Sequence, residues 1–317
     1  MWSHGKGGRL LRQILLAASR SGGVRKLVET APYTRSVVRR FVAGESVNNA
    51  LGVTEQLISD GLLITLDHLG EDTVEMAQAE TMTAKYEELL GRLAQGDSGS
   101  RAEVSVKLTA LGQLLDGGEK IALENARRIC TAARNARTTV TLDMEDHTMV
   151  DSTLRILGEL RQDFPDTGAV IQAYLRRAEE YCAELADEGS RVRLCKGAYS
   201  APDSVAFTGK DDIDKSYVRC MKVLMGGRGY PMLATHDPRL IEIGGVLAVL
   251  NGREADSFEY QMLYGIRPNE QQRLAQRGAQ VRVYVPYGEE WYGYLMRRLA
   301  ERPANLGFFL RSLASKS

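Results

Sequence analysis

The stretch RVRLCKGAYS (residues 191–200) begins as a β-strand with one apolar and one polar face. Side chains alternate between the two faces of a strand, so Val192 and Leu194 share one face and Arg193 and Cys195 share the other. A parallel strand covered by helices is normally apolar on both faces. An arginine on the inner face therefore predicts a specific polar partner or ligand inside the fold.

Strands of this kind recur along the chain and alternate with segments of helical spacing. The predicted strands are 62–69, 103–111, 139–146, 169–175, 191–199, 231–237, 258–265 and 280–288, with helical patterns such as 73–93, 119–136 and 176–189 between them. Eight strand–helix units over about 250 residues match an α/β fold of the (β/α)8, TIM-barrel type. A doubly wound open sheet is the second choice, because no Gly-rich GxGxxG turn follows a strand.

The N-terminal part of the chain has a different pattern. Residues 24–59 have helical spacing with a turn at Gly44, so we expect an N-terminal helical segment (1–60) before a catalytic barrel (61–317). The basic, amphipathic residues 1–23 lack a clear apolar core and a small-residue cleavage site. We therefore interpret them as a surface helix rather than a targeting signal.

Composition excludes several classes of protein. With 41 basic and 41 acidic side chains the formal charge is zero, which argues against nucleic-acid binding through a general positive charge. No apolar run approaches the roughly 20 residues of a transmembrane helix. The four cysteines form no CxxC pair and have no zinc-like spacing, so we expect reduced thiols, no metal site and a cytoplasmic protein.

The polar faces of the strands point to one interior. If the apolar faces meet the helices, the inward positions include Ser105, Lys107, Thr109, Thr141, Asp143, Glu145, Gln172, Arg193, Glu259, Gln261, Leu263, Arg282 and Tyr284. A half-exposed antiparallel sheet would also alternate, but helices between all strands argue against it. Because burying an ion costs several kcal/mol, these charges must pair or surround a charged ligand. Arg282 and Glu259 could equally form a structural salt bridge.

Several of these polar residues, and others, lie where the predicted strands end. Barrel enzymes carry their active sites at the carboxyl ends of the strands. The residues there are Lys107, Asp143, Gln172, Lys196, Gly197, Ala198, Thr235 and His236. Gly197 has no Cβ, so a cofactor could approach the backbone there, and Lys196 would suit a phosphate or a flavin edge. His236 is better explained as a hydrogen-bond donor to a ligand than as a zinc ligand, because no second ligand has suitable spacing.

The last predicted helix contains Tyr294 three and four residues before Arg297 and Arg298, so all three can share a face. Two guanidinium groups could hold one small carboxylate in a defined orientation. The alternative is a solvated face on which the arginine pair meets Glu301.

Seven motifs in order resemble those of the proline dehydrogenase family. They are VKLTA (106–110), LDMED (142–146), IQAYLRR (171–177), RLCKGAY (193–199), ATHD (234–237), FEYQMLYG (258–265) and YLMRRL (294–299). The resemblance covers roughly residues 60–310, and LDHLGE (66–71) is similar to short, single-function bacterial members. The chain has no room for the aldehyde dehydrogenase domain of bifunctional relatives, so we expect a separate pyrroline-5-carboxylate dehydrogenase downstream.

The resemblance implies an FAD-dependent enzyme with a distorted barrel. Such enzymes oxidise L-proline to Δ1-pyrroline-5-carboxylate by hydride transfer to FAD, then pass electrons to a membrane quinone. It implies catalytic roles for Asp143 and Arg193 and a proline carboxylate site at Lys107, Arg297 and Arg298. It implies that Tyr284, Tyr294 and Leu263 surround the proline ring, and that the flavin contacts Met144, Gln172, Arg193, Lys196, Gly197, Ala198, Tyr199, Thr235, His236 and Gln261.

Some interpretations stay open at this level. A methylenetetrahydrofolate reductase would share a flavin and a barrel, and a catalytically silent barrel would bind no flavin. Ser200 departs from the aromatic residue of several relatives. The C-terminal segment 307–317 would form an amphipathic contact with the inner face of the cell membrane or, as the favoured interpretation, pack over the barrel.

Overall fold

Eight parallel strands form one sheet in the computed structural model, which describes residues 34–70, 73–96, 98–187 and 189–301. They are β1 (Leu63–His68), β2 (Ala102–Lys107), β3 (Val140–Asp143), β4 (Ala169–Gln172), β5 (Arg191–Cys195), β6 (Tyr230–Ala234), β7 (Glu259–Leu263) and β8 (Val281–Tyr287). β1 pairs with both β2 and β8, which curls the sheet into a barrel. An isolated parallel bridge from Thr141 to Gly168 joins β3 to the start of β4.

Ten α-helices lie in the described ranges. They are α1 (Thr34–Phe41), α2 (Val47–Ser59), α3 (Met76–Gln95), α4 (Gly118–Asn135), α5 (Val150–Asp163), α6 (Ala178–Asp187), α7 (Lys210–Gly226), α8 (Pro238–Leu250), α9 (Pro268–Gln276) and α10 (Trp291–Glu301). Helices α3 to α9 each connect one strand to the next, which confirms the predicted (β/α)8 barrel. An open doubly wound sheet would not pair its first strand with its last.

The outward faces of the strands form the main core. Val104 and Val106 of β2, and Val283 and Val285 of β8, are fully buried among apolar residues of the surrounding helices. Burial of such side chains contributes about 1.5–3 kcal/mol each. The alternation in sequence therefore identified correctly which face of each strand meets the helices.

Most of the predicted strands extend past the observed carboxyl ends, and β2 and β3 show the reason. β2 ends at Lys107, and Thr109–Leu111 instead forms a 3₁₀ turn that closes at Gly112 with φ 98°. β3 ends at Asp143, so Thr109 and Glu145 lie beyond the strands, where the Thr109 hydroxyl donates a 2.5 Å hydrogen bond to Glu145. Their polar side chains satisfy each other at the barrel end and do not line its interior.

Of the two N-terminal helices, α2 lies against β1 and β8, and α1 packs with α10. Ser46 begins α2 with a capping box in which its side chain accepts from the Asn49 amide. The Ala43 amide donates to the Pro286 carbonyl at 2.9 Å, which fixes this segment to β8. The predicted surface helix (1–23) and the C-terminal segment (307–317) lie outside the described residues, and the domain boundary at residue 60 stays a prediction. None of the helices in the described ranges combines the length and the apolar character that a bilayer crossing requires.

Candidate active site

The carboxyl ends of the strands surround a cleft of about 470 Å³. Its lining includes the predicted residues Lys107, Asp143, Met144, Gln172, Arg193, Lys196, Gly197, Ala198, Tyr199, Thr235, His236, Gln261, Leu263, Tyr284, Tyr294 and Arg298. Arg297 belongs to α10, but its side chain lies outside the described part of the structure. Clefts of this size at this face of a barrel are typical of small-molecule sites.

Arg193 lies at the centre of the cleft floor and is 4% exposed. Its Nη1 donates to Asp143 Oδ1 and to Ser105 Oγ, both at 2.7 Å, and its Nε donates to Gln261 Oε1 at 2.5 Å. The guanidinium also lies 5.2 Å from the centroid of the Tyr284 ring. The arginine noted in RVRLCKGAYS is thus fixed by β2, β3, β7 and β8.

Asp143 is the shared acceptor of this network. It accepts from Arg193, from Ser105 Oγ at 2.8 Å and from the Tyr284 hydroxyl at 2.6 Å. Burial alone would raise the pKa of its carboxyl, but Lys107 and Arg193, with hydrogen bonds from Tyr284 and Ser105, hold that pKa below its usual value. Asp143 is therefore ionised at neutral pH and accepts hydrogen bonds.

The protonation of Tyr284 complements that of Asp143. Burial and the adjacent Asp143 charge raise the pKa of the Tyr284 phenol well above its usual value. The phenol keeps its proton at neutral pH and remains a donor. The Tyr284 hydroxyl therefore remains the donor and the Asp143 carboxylate the acceptor of the hydrogen bond between β8 and β3.

Lys107 has a principal partner that the sequence analysis missed. Its Nζ lies 2.9 Å from Asp67 Oδ1 and 3.0 Å from Asp67 Oδ2, and 3.4 Å from Asp143 Oδ2. Asp67 lies one residue before the end of β1 and is 2% exposed. The signal was present in the predicted strand 62–69, where Thr65 and Asp67 occupy the inward positions.

Deeper in the lumen, a second layer of charges supports the floor. Arg282 Nε lies 2.7 Å from Glu259 Oε1, and both side chains are almost fully buried, which confirms the structural alternative for this pair. Glu103, also missed, lies 2.6 Å from Arg191 and 3.7 Å from both Arg193 and Arg282. Buried charges persist because each is paired and hydrogen-bonded.

Two residues that line the cleft, Gln172 and Arg193, each have a buried polar atom that makes no hydrogen bond among the described residues. Gln172 Nε2 donates to the Met144 and Glu145 carbonyls at 3.0 and 2.8 Å, which fixes the amide orientation. Its Oε1 is buried without a hydrogen-bond partner among the described residues. Arg193 Nη2 also makes no hydrogen bond there, although Glu103 Oε1 lies 3.7 Å from it. Buried polar atoms left in this state are costly, so each is suited to a ligand group.

The backbone conformation and the packing at position 197 both require a glycine. Its φ is 96°, and a Cβ at this position would clash with the edge of the Tyr174 ring. The preceding Lys196 Nζ lies 2.5 Å from Asp214 and 3.4 Å from Asp237. The sequence predicted approach of a cofactor as the reason for this glycine, and the Tyr174 ring provides a second, steric reason.

Thr235 and His236 follow β6, the strand next to β5, and both line the cleft. His236 Nε2 accepts from the Leu263 amide at 2.9 Å, so the neutral ring carries its hydrogen on Nδ1. Only Nδ1 can therefore act as the predicted donor. On α10, Arg298 stacks 5.3 Å from the centroid of the Tyr294 ring, and both line the cleft. Arg298 therefore does not belong to a wholly solvated helix face.

Comparison with known proteins identifies the family of this chain. The family model described as Proline dehydrogenase (Pro_dh) matches residues 50–311. The chain is 38% identical over 307 residues to "Proline dehydrogenase 1" of Bacillus subtilis (strain 168), covering 97% of this chain and 100% of that protein. It is 37% identical over 308 residues to "Proline dehydrogenase" of Deinococcus radiodurans, covering 96% and 98% of the two chains.

The fold is shared with larger proteins. A crystal structure of proline utilization A (PutA) from Bdellovibrio bacteriovorus, inactivated by N-propargylglycine, has a TM-score of 0.81 and 26% identity. The match covers 93% of this chain and 37% of the PutA chain, so the present chain corresponds to about a third of that protein. The full-length agreement with the two bacterial dehydrogenases and the family match place this chain in the proline dehydrogenase family.

Proposed function

We propose that this protein oxidises L-proline to Δ1-pyrroline-5-carboxylate, the first step of proline catabolism, with FAD as hydride acceptor and a membrane quinone as the next electron acceptor. One observation carries the proposal. A single cleft brings the cations of Lys107 and Arg298 together with the buried, hydrogen-bonding wall formed by Arg193 and Gln172. The first pair suits a small carboxylate, and the second suits a flavin.

The residues present fit a flavin. A flavin ring system has an N–H donor, which would suit Gln172 Oε1, and several carbonyl and ring-nitrogen acceptors, which would suit Arg193 Nη2. Neither protein atom makes a hydrogen bond among the described residues. The residues proposed to hold FAD are Met144, Gln172, Arg193, Lys196, Gly197, Ala198, Tyr199, Thr235, His236 and Gln261. When bound, FAD would accept a hydride from the carbon next to the proline nitrogen.

The substrate half of the cleft is proposed to lie between Lys107 and α10. Lys107 and Arg298, with Arg297, would hold the proline carboxylate and so fix which ring carbon faces the flavin wall. Tyr284, Tyr294 and Leu263 would surround the ring and exclude water. The bulk of Tyr284 would also crowd a 4-hydroxyl group, which favours proline over hydroxyproline.

The charges of the floor bear on the proton that proline must lose. Hydride transfer requires a neutral ring amine, and because Lys107 and Arg193 are each paired with a carboxylate, they add little net positive charge that would disfavour the ammonium form. Asp143 is engaged by Arg193, Tyr284 and Ser105, so its carboxylate shapes the site and is not free to take a proton. We propose that solvent accepts the amine proton.

The proposed electron route leads out of the cleft to a quinone. The protein would work on the cytoplasmic side of the cell membrane and meet it through peripheral contact. Its product would pass to a separate pyrroline-5-carboxylate dehydrogenase.

The test is the visible absorption spectrum of the purified protein before and after addition of L-proline without oxygen. Flavin bands that bleach with L-proline, but not with NADH or trans-4-hydroxyproline, would support the proposal. Bleaching with NADH alone would favour a folate reductase. A protein that stays colourless and inert after addition of FAD would contradict the flavin assignment.

A further inference from the structure

The carboxylate of Asp67 is the nearest acidic partner of the Lys107 ammonium group. Both Asp67 oxygens lie within 3.0 Å of Nζ, whereas Asp143 approaches only to 3.4 Å. Asp67 is 2% exposed and Lys107 is 8% exposed. Such a pair is shielded from solvent, so its geometry is maintained much better than that of a surface ion pair.

The barrel itself brings the two groups together. β1 and β2 are paired with Asp67 opposite Ser105, and β2 and β3 are paired with Lys107 opposite Asp143. Lys107 therefore lies at the end of β2 between two carboxylates on the neighbouring strands. Asp143 is already committed to Arg193 and Tyr284, which leaves Asp67 as the acidic neighbour whose described hydrogen bonds go to Lys107 alone.

A lysine ammonium group needs a carboxylate partner such as Asp67 to hold it in one position. Its ammonium is carried by four rotatable methylene groups, so position is not defined by the backbone alone. If Asp67 were uncharged, the remaining acidic neighbour would draw Nζ toward Asp143. That movement would shift the Lys107 ammonium away from β1. It would also disturb Asp143, which accepts a hydrogen bond from Arg193.

We propose that Asp67 is a positioning residue that sets the Lys107 ammonium for the substrate carboxylate. The inference rests on the proposed function, since it assumes that Lys107 binds that carboxylate. Asp67 acts through Lys107 and takes no part in the hydride or proton transfer. Its loss should therefore affect the binding of any ring carboxylate, including one that cannot be oxidised.

The experiment is a double-mutant cycle with Asp67→Asn, Lys107→Met and the double variant, each as the flavin-loaded protein. The probe is tetrahydrofuran-2-carboxylate, which keeps the five-membered ring and the carboxylate but has no amine to ionise or oxidise. Its Kd is measured by titration calorimetry, and the KM and kcat for L-proline are measured in parallel. The cycle isolates the coupling between the two side chains.

We expect Asp67→Asn to raise the Kd of the probe and the KM for L-proline about 10- to 100-fold, with a much smaller change in kcat. In the Lys107→Met background, Asp67→Asn should have no further effect. Asp67→Glu, which keeps the charge, should restore part of the affinity, and Asp60→Asn, exposed at the end of α2, should match the wild type.

Several outcomes would overturn the inference. Unchanged or tighter binding in Asp67→Asn would mean that Asp67 is neutral or competes with the substrate. Equal effects in both backgrounds would mean that it acts independently of Lys107. If Asp67→Asn does not fold, Asp67→Glu alone decides, because a shifted carboxylate must alter probe binding if the proposal holds. Failure of the proposed function would be seen in a different experiment: L-proline would not reduce the flavin of the wild-type protein.

Discussion

The Tyr284 hydroxyl donates a 2.6 Å hydrogen bond to Asp143 Oδ2, while the other oxygen of the same carboxylate accepts from Arg193 at 2.7 Å. The Tyr284 ring also lies against the Arg193 guanidinium. One carboxylate thus links β5 and β8 across the lumen, and it fixes an arginine and a phenol at the floor of the cleft.

Two substitutions of Tyr284 distinguish the role of its hydroxyl hydrogen bond from the role of its ring volume. Tyr284→Phe removes a bond to a charged acceptor, worth about 1.5–3 kcal/mol, so kcat/KM for L-proline should fall roughly 10- to 100-fold. Selection against trans-4-hydroxyproline should persist, because the ring remains. Tyr284→Ser should relax that selection. Steady-state kinetics with both substrates provide the test, and a Phe variant that accepts hydroxyproline as well as the Ser variant would contradict the role given to bulk.

The lowered pKa of Asp143 predicts a pH dependence of stability. A carboxyl whose pKa is lower in the folded state stabilises the fold above its unfolded pKa of about 3.9, and this contribution is lost as pH falls toward the folded value. The free energy of unfolding of the wild type should therefore decrease below about pH 4 more steeply than that of Asp143→Asn. Denaturant unfolding between pH 3 and 7 measures this, with Asp60→Asn as the control expected to follow the wild type. Parallel curves for wild type and Asp143→Asn would refute it.

Gly197 and Gly61 form a matched pair for backbone strain. Both have positive φ, at 96° and 80°, but space is open beside Gly61, whereas the Tyr174 ring occupies it beside Gly197. Gly61→Ala should cost about 1–2 kcal/mol, from backbone strain alone. Gly197→Ala should cost more and should also reduce flavin content, because it displaces the segment that begins with Lys196. Thermal unfolding and the ratio of flavin to protein absorbance give both readouts, and equal losses in the two variants would exclude the steric role of Tyr174.

Arg298 is expected to contribute to substrate affinity rather than to flavin binding. Arg298→Ala removes a cation from the cleft, and the loss of one partner of a buried charge pair costs about 2–5 kcal/mol. The KM for L-proline should rise steeply with bound flavin retained, and Arg297→Ala should behave alike. Arg277→Ala, at the exposed end of α9, is the control. Loss of flavin in the Arg298 variant would place this side chain outside the carboxylate site.

The sequence determined a large part of this architecture. Alternation of side chains has a period of two in a strand, so the inward faces of β2, β5, β7 and β8 could be read without coordinates. Arg193, Gln261 and Tyr284 were assigned to the interior on that basis. The same rule would have found Asp67, since it follows Thr65 on the inward face of β1. Local patterns also located all eight strands, because each is a continuous segment.

Partners across the lumen were decided only by the tertiary structure. Arg193 meets Gln261 and Lys107 meets Asp67 because the barrel closes with a particular strand register, which brings together residues 68 and 40 positions apart. The strand ends at Lys107 and Asp143 depend on turns whose hydrogen bonds form between separate segments, as Thr109 and Glu145 do. Periodicity defines which face a side chain occupies, but it has no information about what lies opposite, since that depends on how distant strands are staggered when the sheet closes.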